Sequence, residues 1–175
     1  MAKSGDRFEL PDGSTFVVER STAETGGEYV EMTATVAART FSPLPHAHPR
    51  ATDRFEVLEG RVQVMVDGSW RTLGPGDELT IPPGTVHTMR NRFDDPVRIR
   101  VTHTPAMRLE DYFERFHGLA RARGIKGARD PRVPILVSML MLEYPDTLAF
   151  PRRRERTVAR TLARLGRALR FSTAP

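Results

Sequence analysis

The sequence predicts a mainly β domain, a sandwich or closed barrel, followed by α-helices. Three observations carry that prediction. From Phe8 to about Thr104 short β-type runs are cut at even intervals by turn residues. After Pro105 the apolar period lengthens to that of a helix. At 175 residues the chain suits one hydrophobic core with an appendage. The expected division is a β domain over residues 1–105 and a helical extension over 106–175 that packs on the barrel or on a dimer partner.

The β-type runs, in order, are TFVVER, EYVEMTATVAART, FEVLEG, RVQVMVDG, SWRTLGPGD, ELTIPPG, VHTMRN and PVRIRVTHT. Asp12-Gly13, Gly26-Gly27, Asp67-Gly68, Gly74-Pro75-Gly76, Pro82-Pro83-Gly84 and Asp94-Asp95-Pro96 punctuate them. Many short strands at such spacing suit a sandwich or closed barrel. In VRIRVTH, alternation puts Val97, Ile99, Val101 and His103 on one side and Arg98, Arg100 and Thr102 on the other, as in a wall with a dry inside.

MRLEDYFERFHGLARARG then places Leu109, Tyr112, Phe113, Phe116, Leu119 and Ala120 on one helical stripe, with Gly124 as its stop. This helix is expected to lie on the barrel, with His117 at its surface. PILVSMLMLEYPDTLAF is apolar nearly all round between Pro134 and Pro145, which suits a buried helix or an interface. The last segment, RRRERTVARTLARLGRALRF, sets Val158, Leu162, Leu165 and Leu169 opposite Arg156, Arg160, Arg164 and Arg167. Its leucine stripe is expected to pack against the barrel or a second subunit. The composition also suits a membrane-surface helix. It lacks the interleaved aromatics of a nucleic-acid arm, so no nucleic-acid partner is expected.

The net charge of +5 is local to that tail: Pro151 to Pro175 holds eight arginines and one glutamate, or +7, leaving −2 for the rest. The chain has no cysteine, so any metal must be held by imidazole and carboxylate. No signal-peptide pattern or membrane-spanning run is present, and a cytoplasmic protein is expected, peripheral to the membrane through its basic tail at most.

The chemistry is concentrated in PLPHAHPRATDRFEVLEG. Two histidines at i and i+2 on an extended segment point to the same side, so His46 and His48 can reach one ion. Asp53 is the nearest carboxylate, and strand parity puts it on a face with Phe55 and Val57 while Glu56 looks the other way. His87, after the Pro-Pro-Gly turn, comes from a second strand.

These residues resemble the two motifs of the cupin superfamily. The first motif is His-x-His, four residues, Glu, six residues, Gly; the chain has His46, His48, Asp53 and Gly60 at those places. The second is Gly, five residues, Pro-x-Gly, two residues, His, three residues, Asn, and Gly76, Pro82, Gly84, His87 and Asn91 match throughout. The fifteen residues between Gly60 and Gly76 are a short, bacterial-type spacing. The resemblance implies a single cupin β-barrel (jelly-roll, double-stranded β-helix) with C-terminal α-helices, paired as a homodimer through its sheets. It also implies a divalent transition metal (Fe, Mn, Ni, Cu or Zn) held by His46, His48, His87 and a carboxylate.

Asp53 departs from the pattern, being a methylene, about 1.5 Å, shorter than the usual Glu. Either it still reaches the metal, or it accepts a hydrogen bond from a bound water and the histidines hold the metal. Parity offers Phe55, Met89 and His103 as lining of a substrate pocket suited to an aromatic molecule, and His103 as a candidate catalytic residue. The leading function is a metal-dependent enzyme on a small organic molecule, a dioxygenase or a cyclase/isomerase. The alternative is a non-catalytic ligand-binding or sensing module whose basic tail mediates dimerisation or membrane-surface docking.

Overall fold

Alternation of apolar and polar residues decides the inside of this molecule. In the computed structural model, which describes residues 2–40, 44–169 and 171, nine strands precede three helices. The strands are β1 (Arg7–Glu9), β2 (Thr15–Arg20), β3 (Val30–Val36), β4 (Thr52–Glu59), β5 (Val62–Val66), β6 (Ser69–Leu73), β7 (Glu78–Ile81), β8 (His87–Arg90) and β9 (Val97–Thr104). The helices are α1 (Leu109–Ala122), α2 (Val133–Glu143) and α3 (Arg153–Ala168). The end of the expected extension, residues 170 and 172–175, lies outside the described residues.

All strand pairs are antiparallel, in a six-stranded sheet ordered β1-β2-β3-β9-β4-β7 and a three-stranded sheet ordered β6-β5-β8. β1 is only three residues long, too short to leave an alternating run in the sequence. The inward rows of the sheets meet in a core of Ala34, Val36, Phe55, Val57, Val62, Val64, Leu79, Ile81, Val97 and Ile99 among others. The outward face of the large sheet is charged and paired across strands, Arg54 with Glu78 at 2.6 Å, Arg98 with Glu59 at 2.5 Å and Arg100 with Glu56 at 2.6 Å.

Two motif residues have structural work. Gly60 has φ +78°, and a Cβ there would lie 2.7 Å from the Pro96 carbonyl oxygen, so only glycine lets the chain pass the start of β9. Asn91 is fully buried; its Nδ2 donates to the carbonyls of Asp95 (2.8 Å) and Val36 (3.3 Å), and its Oδ1 accepts from Phe93 N at 2.9 Å.

The helices cover one end of the barrel. Inward-facing Val30 and Met32 at the start of β3 cluster with Leu109, Tyr112, Phe116, Leu136, Leu140, Leu148 and Phe150, whereas Ala34 and Val36 farther along β3 belong to the barrel core. α2 is buried on two sides, Leu136 and Leu140 toward this cluster and Ile135 and Met139 toward α3, which explains its apolar character all round. His117 is half-buried on α1, its Nδ1 2.9 Å from both the backbone N and O of Glu9, and so ties α1 to β1.

α3 packs on α2 through one face and leaves another outward. Its buried residues are Ala159, Ala163 and Gly166, while Val158, Leu165 and Leu169 are 58%, 47% and 56% exposed. The physical reason is close approach: a Cβ on Gly166 would stand 2.5 Å from Met139 Sδ and 2.8 Å from Ile135 Cγ2. Small residues on α3 let the side chains of Ile135 and Met139 lie against its backbone, with Leu162 packed beside them, while Val158, Leu165 and Leu169 face outward.

Candidate metal centre

Backbone pairing brings the motif histidines together before any side-chain contact is considered. His46 and His87 form an antiparallel bridge, His46 N donating to His87 O at 3.0 Å and His87 N to His46 O at 2.9 Å. The turn at Pro82–Thr85, with Gly84 at φ +77°, folds over His48, whose carbonyl accepts from Gly84 N at 2.8 Å. On the other side Ala47 bridges Ala149, in the segment that follows α2. Asp53 comes from the start of β4 and His103 from the end of β9, and the two are direct cross-strand partners.

The side chains converge from these frames. Ring centroids lie 4.5 Å apart for His46–His87, 5.1 Å for His46–His48, 5.2 Å for His48–His87 and 4.5 Å for His48–His103. Asp53 Oδ2 sits 3.0 Å from His48 Nε2 and 3.4 Å from His87 Nε2, and its Oδ1 accepts a short hydrogen bond from His103 Nδ1. His48, Asp53, His87 and His103 are buried, and His46 is half-buried, so it is the member that reaches solvent.

The tautomers follow from the outer contacts. Nδ1 of His46 lies 3.0 Å from the Leu44 carbonyl oxygen, Nδ1 of His87 3.0 Å from that of Thr85, and Nδ1 of His48 2.5 Å from that of Thr147. A carbonyl can only accept, so each Nδ1 carries the proton and each Nε2 presents a lone pair when the ring is neutral. Donation of the distal N–H to a carbonyl is the usual outer contact of a metal-bound imidazole.

Charge in the cluster is already polarised. Desolvation, together with the nearby His87 and His48, pushes His46 down to about 3, so it stays neutral. Burial also opposes charge on His48, but the Asp53 carboxylate and the Thr147 carbonyl outweigh it and raise its pKa. Burial works against the Asp53 anion too, and His48, His103 and His87 overcome it and hold the carboxyl well below its ordinary range. Desolvation lowers His103, so a neutral imidazole donates to Asp53.

The donor set fits a first-row divalent ion. His46, His48 and His87 offer ligand atoms within 4.8 Å of one another, and His48, Asp53 and His103 form a second such group that shares His48. Three imidazole Nε2 atoms beside one carboxylate suit Fe, Mn, Ni, Cu or Zn. An open cleft of about 460 Å³ lies elsewhere, beside Glu9, Leu10, Pro11, His117, Arg121 and Lys126, with none of the described ligand groups in it.

The cupin domain family Cupin_2 matches residues 32–103, the stretch that holds His46, His48, Asp53, His87 and His103. The chain carries a cupin domain. Quercetin 2,3-dioxygenase of Bacillus subtilis is 30% identical over 106 residues, 51% of this chain and 32% of that protein, so the match spans about a third of the relative's length. Among solved structures, KdgF from a Halomonas species is 21% identical with a TM-score of 0.50, covering 57% of this chain and 87% of that one. A sugar phosphate isomerase of the cupin superfamily from Silicibacter pomeroyi is 20% identical with a TM-score of 0.51, covering 59% and 73%. At these identities the two structures speak to the cupin fold alone. No helix among the described residues is long and apolar enough to cross a membrane.

Within the cupin barrel, the four residues read from the motifs stand together. Of the three expected to line a substrate pocket, Met89 keeps partial exposure, whereas Phe55 is 3% exposed inside the barrel core with its ring 6.2 Å from that of His87, and His103 is wholly buried. Two contacts of the candidate site escape sequence reasoning. The His103–Asp53 pairing needs the β4–β9 register, although parity already turned His103 inward. The Thr147 carbonyl reaches His48 from ninety-nine residues away with no local signal.

Proposed function

We propose that this protein is a metal-dependent cupin enzyme acting on a small organic molecule, as a dioxygenase or as a cyclase/isomerase. The observation that carries the proposal is the convergence of three imidazoles, each with Nδ1 directed at a backbone carbonyl, at the end of the barrel, with the Asp53 carboxylate against two of them, His48 and His87. His46, His48 and His87 would hold the metal through Nε2, with Asp53 as the fourth ligand. A divalent ion there would supply Lewis acidity and open positions for substrate or O2.

The chain's own residues set the terms of that chemistry. Leu44, Thr85 and Thr147 fix the imidazole tautomers. Phe55 and the barrel core exclude water from beneath His87. Half-buried His46 marks the side from which a ligand enters. The quercetin 2,3-dioxygenase relative favours the oxygenase branch and an aromatic substrate.

The test is oxygen uptake by Fe- or Mn-loaded protein with a panel of flavonols and catechols, alongside an isomerisation panel of keto sugars. Turnover that follows metal content and vanishes in His48→Ala is the expected result. Full metal loading with no turnover on either panel overturns the enzyme reading.

A second reading has its own observation, the exposed Val158, Leu165 and Leu169 beside the arginines of α3. On that reading the barrel binds or senses a ligand, and α3 docks on a second copy of the chain or on an anionic membrane surface. Sedimentation velocity and co-sedimentation with anionic vesicles, each compared with Leu165→Glu, separate the two. A monomer that ignores such vesicles at low salt removes both.

A further inference from the structure

We infer that His103 is the positioning residue that lets an aspartate stand where the cupin motif carries glutamate. It holds Oδ1 of Asp53 from the neighbouring strand and so leaves Oδ2 aimed at the space shared by His48 and His87. The inference rests on the metal-centre reading proposed above.

Register comes first. Asp53 lies between two cross-strand partners, Ile81 of β7 and His103 of β9. Ile81 has nothing to donate, so His103 is the partner on the flanking strands that can fix the carboxylate. The two oxygens are divided accordingly: Oδ1 takes the proton of His103 Nδ1, and Oδ2 faces His48 Nε2 at 3.0 Å and His87 Nε2 at 3.4 Å. With its Cα set by β4 and one oxygen pinned, a side chain of two torsions has little freedom left for the other oxygen.

The state of His103 supports the same role. It is 0% exposed, and its Nε2 is buried with no hydrogen-bond partner among the described residues. Burying an unpaired imidazole nitrogen opposes folding, and a leucine of similar size would fill the space without that cost. The contact that His103 makes and leucine cannot is the one to Asp53. A glutamate, about 1.5 Å longer, reaches inward by its extra methylene; Asp53 depends on being held in place.

Cobalt binding reads this directly. Chelator-treated full-length protein is titrated with Co2+, and both affinity and the visible d–d spectrum are recorded for wild type, His103→Leu, His103→Asn, Asp53→Glu and the double variant Asp53→Glu/His103→Leu. Circular dichroism checks folding, and His103→Ala replaces the leucine variant if that one fails to fold. His103→Leu is expected to weaken Co2+ by about 10–100-fold, the usual effect of losing an outer-shell partner, and to change the spectrum. His103→Asn, whose Nδ2 donates from the place of the lost Nδ1, is expected to restore both. In the Asp53→Glu background the His103→Leu change is expected to cost far less, a non-additive cycle. Wild-type affinity and spectrum in His103→Leu, or an equal loss in both backgrounds, overturns the positioning role alone. Wild-type protein that takes up no Co2+ overturns the metal-centre reading and this inference with it.

Discussion

The two ends of the barrel interior are built on the same strands and behave as opposites. The inward row of β9 runs Val97, Ile99, Val101, His103, and the facing row of β4 runs Val57, Phe55, Asp53. At one end these two rows are hydrocarbon, and each such side chain stabilises the fold by about 1.5–3 kcal/mol when fully buried. At the other end the same parity delivers Asp53 and His103, which meet the buried His48 and His87 arriving from outside these two strands. Removing a charge from water there costs several kcal/mol, which the ion pairs at best offset. The apolar end therefore holds the barrel together, and the polar end draws on that stability to keep the candidate ligand set in place.

The largest expected effect separates the two ends outright. His48→Ala removes metal binding altogether and leaves the metal-free protein folded, whereas Ile99→Ala keeps metal binding and loses about 2–5 kcal/mol of stability. Metal content and urea denaturation, measured on both variants, check this crossing of effects.

Replacing the polar end by hydrocarbon sharpens the contrast. The double variant Asp53→Leu/His103→Leu is expected to bind no metal and yet match or exceed the metal-free wild type in urea, by up to about 4 kcal/mol, because no buried charge remains. A large destabilisation would mean that the polar pair is itself structural. Glycine substitutions give a smaller effect. Gly60→Ala meets both a positive φ and a Cβ 2.7 Å from Pro96 O, and should cost more than Gly84→Ala, where φ is +77° and the space is open. Thermal unfolding of the two variants ranks them, with about 1–2 kcal/mol expected from the backbone term alone at Gly84.

A separate effect is in pH. His46 titrates at about 3 in the fold and at about 6.5 in the unfolded chain, so between these values the unfolded state binds the extra proton. Stability of the metal-free protein must then fall as pH drops from about 6.5 toward 3, by at most about 1.4 kcal/mol per pH unit from this group. His46→Gln should flatten that slope, as read from urea midpoints across the range.

Legibility in the sequence followed the range of the interactions. The strands from β2 to β9 and the inward facing of Asp53, Phe55, His103 and Val101 were readable because alternation is local. The convergence of His46, His48 and His87 was readable because motif spacing encodes it. The contact of His103 with Asp53 was not, since it depends on which residues of two strands fifty positions apart come into register. α3 was legible only in part: its leucine stripe is the strongest pattern in the helix, but the face turned to α2 is made by Ala163, Gly166 and Leu162 against Ile135 and Met139, a choice that depends on residues of another helix.

The most direct test of the central claim is elemental analysis of wild type and His48→Ala, both purified without a histidine tag or chelator. Near-stoichiometric Fe, Mn, Ni or Zn in the wild type, with none in the variant, is the result expected of a barrel end built to hold a metal. A metal-free wild type that takes up none of these ions on addition, or a variant that retains as much metal as the wild type, would contradict it.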